Sequence, residues 1–443
     1  MADNWLWMSA GDLGRAIGAG QIDPVELATT FFDAIRAHPL QNRIYARLTE
    51  SRAMAEAEAA AMRARSGTRR GPLDGVPVSW KDLYDTAGVA TEAGSALLAG
   101  RVPEHDAEVV ANATAMGLVG LGKTHMSELA FSGLGLNPVT ETPPCVNDPH
   151  AVAGGSSSGA ATSVAFGLAP AGIGSDTGGS VRIPSAWNDL VGLKTTSGRL
   201  SLKGVVPLVA SFDTVGPLCR NVEDCALFLA ALEGQARAVD LEGASLRGRR
   251  FLILENGLRD VREVPMAGFE RAVARLTDAG AVMERAHLGL IDEAMEMSAI
   301  LYTTEAYATW REEIEARPQL MFDQILERFR AGGTFGGADF VAAWQKLDRL
   351  RAEFRARTAG YDAVILPTAA NLPPKAERLL SDHDYYVTEN LATLNNTRMG
   401  NLMGGAALTL PTGVPSTGLM LLGAPMGEER LLRIGAAAEA ALA

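Results

Sequence analysis

Apolar positions recur at helical spacing along the first part of the chain. Leu13, Ala16 and Ile17 follow Ser9 and Asp12, a pair that fits a capping box. Leu27, Phe31 and Ile35 share one face behind Asp23-Pro24, an N-cap followed by proline at the first helical position. His38-Pro39 ends that helix. The Ala-, Glu-, Met- and Arg-rich stretch 51–65 predicts another, so 9–66 reads as helical throughout. The pattern changes from 71 to 240. Gly-Pro-Leu-Asp-Gly-Val-Pro-Val-Ser-Trp predicts a turn and then a short apolar strand ending at Lys81. Residues 109–116 read as a helix, 118–121 as a buried strand, and the apolar run 164–173 as core. Further on, 251–254 predicts a strand, 265–279 a helix and Val282-Met283 the edge of a strand. Residues 291–358 read as mostly helical, broken at Gly332-Gly333 and Gly336-Gly337. The stretch 361–367 predicts a buried strand, 369–390 an irregular exposed segment, and 428–442 a closing helix. Short strands alternating with helices place the chain in the α/β class.

No repeat of 20 to 50 residues and no polar linker interrupts this order, so the 443 residues read as one large domain. A hydrophobic share of 47% and a charged share of 21% are ordinary for a globular enzyme and supply a large core. The net charge of −12 argues against a nucleic-acid surface, which needs a basic patch. Cys145, Cys219 and Cys225 are too few and too scattered for a disulfide framework, and Cys219 and Cys225, six positions apart, have no histidine nearby to complete a zinc site. The first residues lack a basic start followed by an apolar run, and no stretch of eighteen apolar residues occurs. A cytoplasmic protein with no membrane span is therefore expected.

The chemistry concentrates in residues 154–185, where two glycine-serine clusters flank a small-residue apolar segment. Such loops let the backbone approach a ligand and aim N–H groups at negative charge. Gly154-Gly-Ser-Ser-Ser-Gly159 lacks the lysine of a phosphate loop. Its Gly155-Ser-Ser-Ser-Gly159 also fits the nucleophile-elbow pattern, which would make Ser157 the nucleophile with His287 or His383 as its histidine. The second cluster, Gly174-Ser-Asp-Thr-Gly-Gly-Ser180, suits either an anion hole with a serine beside it or a tight turn between strand and helix. Lys81 reads either as an ordinary surface lysine or as a base; the latter needs an apolar, glycine-lined site that lowers its pKa. His105, His125, His150, His287 and His383 show no metal spacing and read as structural or solvent-facing. Met295, Met297, Tyr302, Tyr307 and Trp310 read as core or as a pocket lining.

Several ordered segments together resemble the amidase signature family of amide hydrolases. They are Gly75-Val-Pro-Val-Ser-Trp-Lys-Asp82, Gly154-Gly-Ser-Ser-Ser-Gly159, Asp176-Thr-Gly-Gly-Ser-Val-Arg-Ile-Pro184, Gly192-Leu-Lys-Thr-Thr196 and Ser211-Phe-Asp-Thr-Val-Gly-Pro217. The similarity is strong over 9–230, weak over 240–357 and moderate from 358 onward. The resemblance implies a mixed β-sheet covered by helices on both faces, in one domain spanning 1–443. Its parts would be an N-terminal helical segment (1–70), a catalytic core (71–240), a variable αβ and helical insert (241–357) and the C-terminal part of the core (358–443).

Residue by residue, the resemblance makes Ser180 the nucleophile, Ser156 a bridging serine at a cis peptide bond, and Lys81 the base. It makes Thr177, Gly178 and Gly179 the backbone donors to an oxyanion, and Ser157, Asp176 and Arg182 supporting residues that fix loops. No metal or organic cofactor is implied. Ser180 needs a base, and Ser156 can relay its proton to a neutral Lys81. The chain departs from the family pattern at Ser158-Gly159, at Lys194-Thr195-Thr196 and across Ser416-Thr-Gly-Leu-Met-Leu-Leu-Gly423. The last of these regions helps shape the family's acyl pocket, so no particular substrate carries over.

The expected activity is hydrolysis of a carboxylic amide C–N bond in a small-molecule substrate, through a Ser180 acyl-enzyme. Other readings are the glutaminase subunit of a transfer-RNA-dependent amidotransferase with its partner subunits, a hydrolase of urea-derived amides such as allophanate or biuret, and a non-catalytic binding protein on the same scaffold. A homodimer fits any of them.

Overall fold

A mixed sheet of eleven strands runs through the computed structural model, which describes residues 2–443. In chain order the strands are β1 (Tyr45–Leu48), β2 (Pro77–Lys81), β3 (Val119–Thr124), β4 (Pro144–Cys145), β5 (Asp148–Val152), β6 (Ala171–Ser175), β7 (Val191–Lys194), β8 (Val215–Cys219), β9 (Arg250–Leu254), β10 (Val282–Ala286), β11 (Ala363–Pro367), β12 (Ala407–Pro411) and β13 (Gly418–Leu422). The sheet order is β1-β3-β2-β6-β8-β7-β12-β13-β11-β9-β10, and β4 and β5 form a separate hairpin. The neighbours β3, β2 and β6 run parallel, as do β11, β9 and β10, while the strands between them are antiparallel. Helices flank this sheet, so the α/β fold with a mixed sheet is as expected.

The central strands are buried on both faces, which is why β6 and β8, and β2 up to Lys81, are runs of apolar and small residues rather than alternating ones. Between β5 and β7 the chain makes the local structure on which the site rests. A glycine-serine loop leads into the helix Ser158–Ala165, then β6, then a second glycine-serine loop and the helix Arg182–Trp187. The first helix lies so close to β6 that a Cβ at Gly172 would fall 2.5 Å from the Ala160 carbonyl oxygen. Parallel pairing of β2 with β6 brings their C-terminal ends, Lys81 and Ser175, side by side.

The helical expectations hold in most places. Ser9 caps Ala10–Gly18 by accepting from the Asp12 amide, and Asp23 caps Pro24–Ala37 by accepting from the Val25 amide. The stretch 289–358 is mostly helical and breaks at 332–336, as its glycines predict, and also at 317–322 around Pro318. Two expectations fail. Residues 45–48, expected within helix, form β1 at the sheet edge, antiparallel to β3. Residues 369–390, expected to be irregular and exposed, hold the helix Ala376–Ser381 and the start of a long helix, His383–Met403. The long helix buries Glu389, Asn390, Thr393, Asn396, Thr397 and Asn401. A helix whose buried side is polar shows no apolar stripe for the sequence to reveal. Among the described residues, no helix is long and apolar enough to cross a membrane.

Candidate active site

Lys81 ends β2 with its side chain wholly buried. Its Nζ lies 2.7 Å from Ser156 Oγ and 2.7 Å from Ser175 Oγ. Burial lowers the Lys81 pKa to about 7, although Asp176 and then Asp213 pull it back up. Lys123 and Lys194 are buried and depressed too, to about 8 and about 7, in both cases chiefly by desolvation. Lys194 is held by the carbonyls of Thr195 and Gly405, and Lys123 by the Tyr84 carbonyl and the Thr91 hydroxyl. A lowered pKa therefore does not single out a base here; contact with a serine hydroxyl does, and Lys81 has it. Ser175 has no place in the expected site, and only the pairing of β2 with β6 brings it to Lys81.

The peptide bond between Gly155 and Ser156 is cis, as the resemblance implies. Ser157 next to it is fully buried, and its hydroxyl accepts from the Ser175 amide and donates to the Ser175 carbonyl, both at 3.2 Å. It cannot attack a substrate from there, which removes the nucleophile-elbow reading. The Ser157 amide also donates to the Ser180 carbonyl at 3.3 Å, so one loop fastens the other.

The loop 176–181 folds around a single carboxylate. Asp176 accepts from the amides of Gly179 and Val181, at 2.9 and 3.1 Å, and from Asn401 Nδ2 at 2.9 Å. Arg182 meets it with Nε at 3.0 Å and Nη2 at 2.9 Å. Burial alone would raise the Asp176 pKa, but Arg182, Lys194 and Asn401 outweigh it and hold the carboxyl well below the usual range. Asp176→Ala leaves Arg182 buried beside no anion, and a broken buried pair costs about 3–5 kcal/mol. We expect urea unfolding of that variant to show a loss of this size; an unchanged unfolding midpoint would show that the pair does not hold the loop.

Elsewhere the loop is clamped from outside. Thr177 Oγ1 donates to Asp213 at 2.5 Å, and Thr397 Oγ1 donates to the Gly178 carbonyl at 2.7 Å. Gly179 has φ of 140°, and a Cβ there would stand 2.2 Å from Thr397 Oγ1, so only glycine fits. Of the three amides expected to face an oxyanion, that of Gly179 points back to Asp176 instead, because a buried carboxylate is a strong acceptor. Thr177 and Gly178 line the cavity, and their amides take no partner among the described residues.

Ser180 is 4% exposed and opens onto a cavity of about 350 Å3. Its hydroxyl takes no hydrogen-bond partner among the described residues, so the step from Ser156 to Ser180 is not a formed hydrogen bond. Contacts of this kind are often loose without substrate and tighten when it binds. The far wall comes from three helices, Ser298–Ala316, Asp323–Ala331 and His383–Met403, which contribute Tyr302, Arg328, Tyr386, Asn390 and Arg398. Tyr302, which the sequence leaves as core or pocket, is both buried and cavity-lining. His383 stands at the mouth, with Nδ1 2.6 Å from Gln324 Oε1. No residue of 411–423 lines the cavity; that stretch is mostly β13 and the turn before it.

A family model described as Amidase matches residues 26–432. The chain is 33% identical over 448 residues to the 2-amino-5-chloromuconic acid deaminase of Comamonas testosteroni, covering 98% of this chain and 97% of that enzyme. Over 459 residues it is 31% identical to a glutamyl-tRNA(Gln) amidotransferase subunit of Chloroflexus aurantiacus, covering 95% of this chain and 93% of that one. The crystal structure of an amidase superposes on it with a TM-score of 0.87 at 29% identity, over 98% of this chain and 100% of that one.

Proposed function

As the chain belongs to the amidase family of hydrolases that act on amide C–N bonds, we propose that it cleaves its substrate through an acyl-enzyme on Ser180, with Lys81 as base and Ser156 as relay. The observation that carries this reading is the buried Lys81 amine at 2.7 Å from the Ser156 hydroxyl, directly behind the loop that presents Ser180 to the cavity. A lysine is a base only when neutral, and its burial supplies that state.

Ser180 Oγ bonds to the amide carbonyl carbon while its proton passes to Ser156 and the Ser156 proton passes to Lys81. The negative charge that forms on the carbonyl oxygen is met by the amides of Thr177 and Gly178, the two that remain free of other partners. When the C–N bond breaks, the Lys81 ammonium returns a proton through Ser156 to the departing nitrogen. Water then attacks the Ser180 ester by the same route and releases the acid. Ser157, Asp176 and Arg182 take no proton in this scheme; they hold the two loops.

A serine-directed fluorophosphonate tests the nucleophile. We expect one covalent adduct, located on Ser180 by peptide mass spectrometry, together with ammonia release from an amide panel. An adduct elsewhere, or turnover that persists in fully labelled protein, would overturn the reading. The 31% identity to an amidotransferase component favours a second reading in which the ammonia passes to partner subunits. Glutaminase turnover that appears only when such subunits are added would select it.

A further inference from the structure

Two arginines face the cavity with no anion to balance them. Arg328, on the helix Asp323–Ala331, and Arg398, on the helix His383–Met403, both line it. Neither forms a salt bridge among the described residues. Arg328 Nη1 is buried and takes no hydrogen-bond partner, and neither does the buried Tyr302 Oη of the same cavity. The Arg328 guanidinium lies 4.6 Å from the centre of the Phe131 ring, which fixes its plane without meeting its donors. The charge of Arg398 also acts on Arg328. Burial first, then the charge of Arg398, lowers the Arg328 pKa to about 10, and burial lowers that of Arg398. A guanidinium keeps its proton in proteins, so both side chains carry positive charge.

The other titratable groups of the cavity do not supply the missing charge. Glu327 is exposed at the mouth, where it sits 3.7 Å from His383 Nε2. Tyr386 uses its hydroxyl on Ser132 at 3.1 Å. Both side chains are partly buried, and the Arg328 Nη1 donor is fully so; a guanidinium withdrawn from water without an anion is unfavourable in a protein at rest. It suits a site whose anion arrives with the ligand, since a guanidinium and a carboxylate form paired, charge-assisted hydrogen bonds. The cavity walls also carry apolar side chains, the buried Phe131, Leu208 and Leu394 and the exposed Leu391.

We propose that the substrate is a small amide carrying a carboxylate separated from the scissile amide by a short hydrocarbon spacer, with Arg328, Arg398 and Tyr302 receiving that carboxylate. The proposal rests on Ser180 being the attacking group, and it deepens that reading by naming the substrate class. The cavity has the size of a small-molecule site rather than that of a polymer-binding groove.

The test compares succinamate, glutaramate and adipamate with butanamide, pentanamide and hexanamide. The best carboxylate should exceed its neutral counterpart by about 100-fold in kcat/KM, the size expected for charge-assisted hydrogen bonds in a buried site. That preference should collapse in Arg328→Gln and Arg398→Gln, and Arg328→Lys should restore part of it. Neutral amides turned over as well as the carboxylates, or a preference unchanged in both variants, would overturn the proposal. A second measurement does not depend on turnover: calorimetric titration of succinate, glutarate and adipate into Ser180→Ala. Binding that weakens in Ser180→Ala/Arg328→Gln supports the pocket even if no amide is cleaved, in which case only the Ser180 reading fails. Binding of none of the three diacids sinks the pocket proposal alone.

Discussion

Ser180→Ala should lower kcat by about four to six orders of magnitude while the protein keeps its fold, the range in which removal of an activated serine nucleophile falls. The loss is that large because the proposed mechanism makes this hydroxyl the atom that bonds to the substrate, and no neighbour replaces it. Ser157 is locked onto Ser175, and Ser156 is tied to Lys81. What survives comes from the Thr177 and Gly178 amides and from binding alone. The fold is spared because the Ser180 hydroxyl holds nothing: the loop is fixed by Asp176, by Thr397 on Gly178 and by Asp213 on Thr177. Ammonia release and thermal unfolding, measured on one preparation, check both halves. Turnover within tenfold of wild type would remove the assignment, and a lost unfolding transition would show that the residue is structural.

The second large effect is at Lys81. Lys81→Met removes the base and should cost about 10²–10⁴ in rate, the span of general-base contributions. The pH profile is more diagnostic than the loss. Protonated Lys81 cannot accept the relayed proton, so activity belongs to the neutral form. That form is gained as pH rises through about 7. Wild-type kcat/KM should therefore rise tenfold per pH unit below that value and level off above it, and lie about 100-fold below its plateau near pH 5. The residual activity of Lys81→Met should lack this limb. Lys81→Arg, which stays charged at all these pH values, should not restore activity. A flat wild-type profile down to pH 5, or an acid limb that persists in Lys81→Met, would rule out a neutral lysine base.

How much of this was legible depended on whether the signal was local. Caps at Ser9 and Asp23, the strand ending at Lys81 and the glycine-serine loops are written in a few adjacent residues, and they appear where expected. The contact of Lys81 with Ser156 followed from ordered motifs 75 positions apart. The failures share a different cause. In β1 the stretch Tyr45-Ala-Arg-Leu48 is extended because it pairs with β3 across the sheet, a tertiary effect that outweighs weak local preferences. In His383–Met403 the buried side is polar because it faces the Asp176 loop and the cavity, so periodicity was silent. Gly179 was expected to face an oxyanion, and a side chain three positions earlier captured its amide. No motif in the sequence marks Arg328 or Arg398; only the packed helices bring them to one cavity with no carboxylate paired to either.

The cavity is assembled from two separated stretches of the chain. The proposed catalytic groups come from 81–180, whereas the opposite wall comes mostly from 298–398. Substitutions in the later stretch can therefore exchange one ligand for another while the proposed proton path, built on a different part of the chain, stays in place.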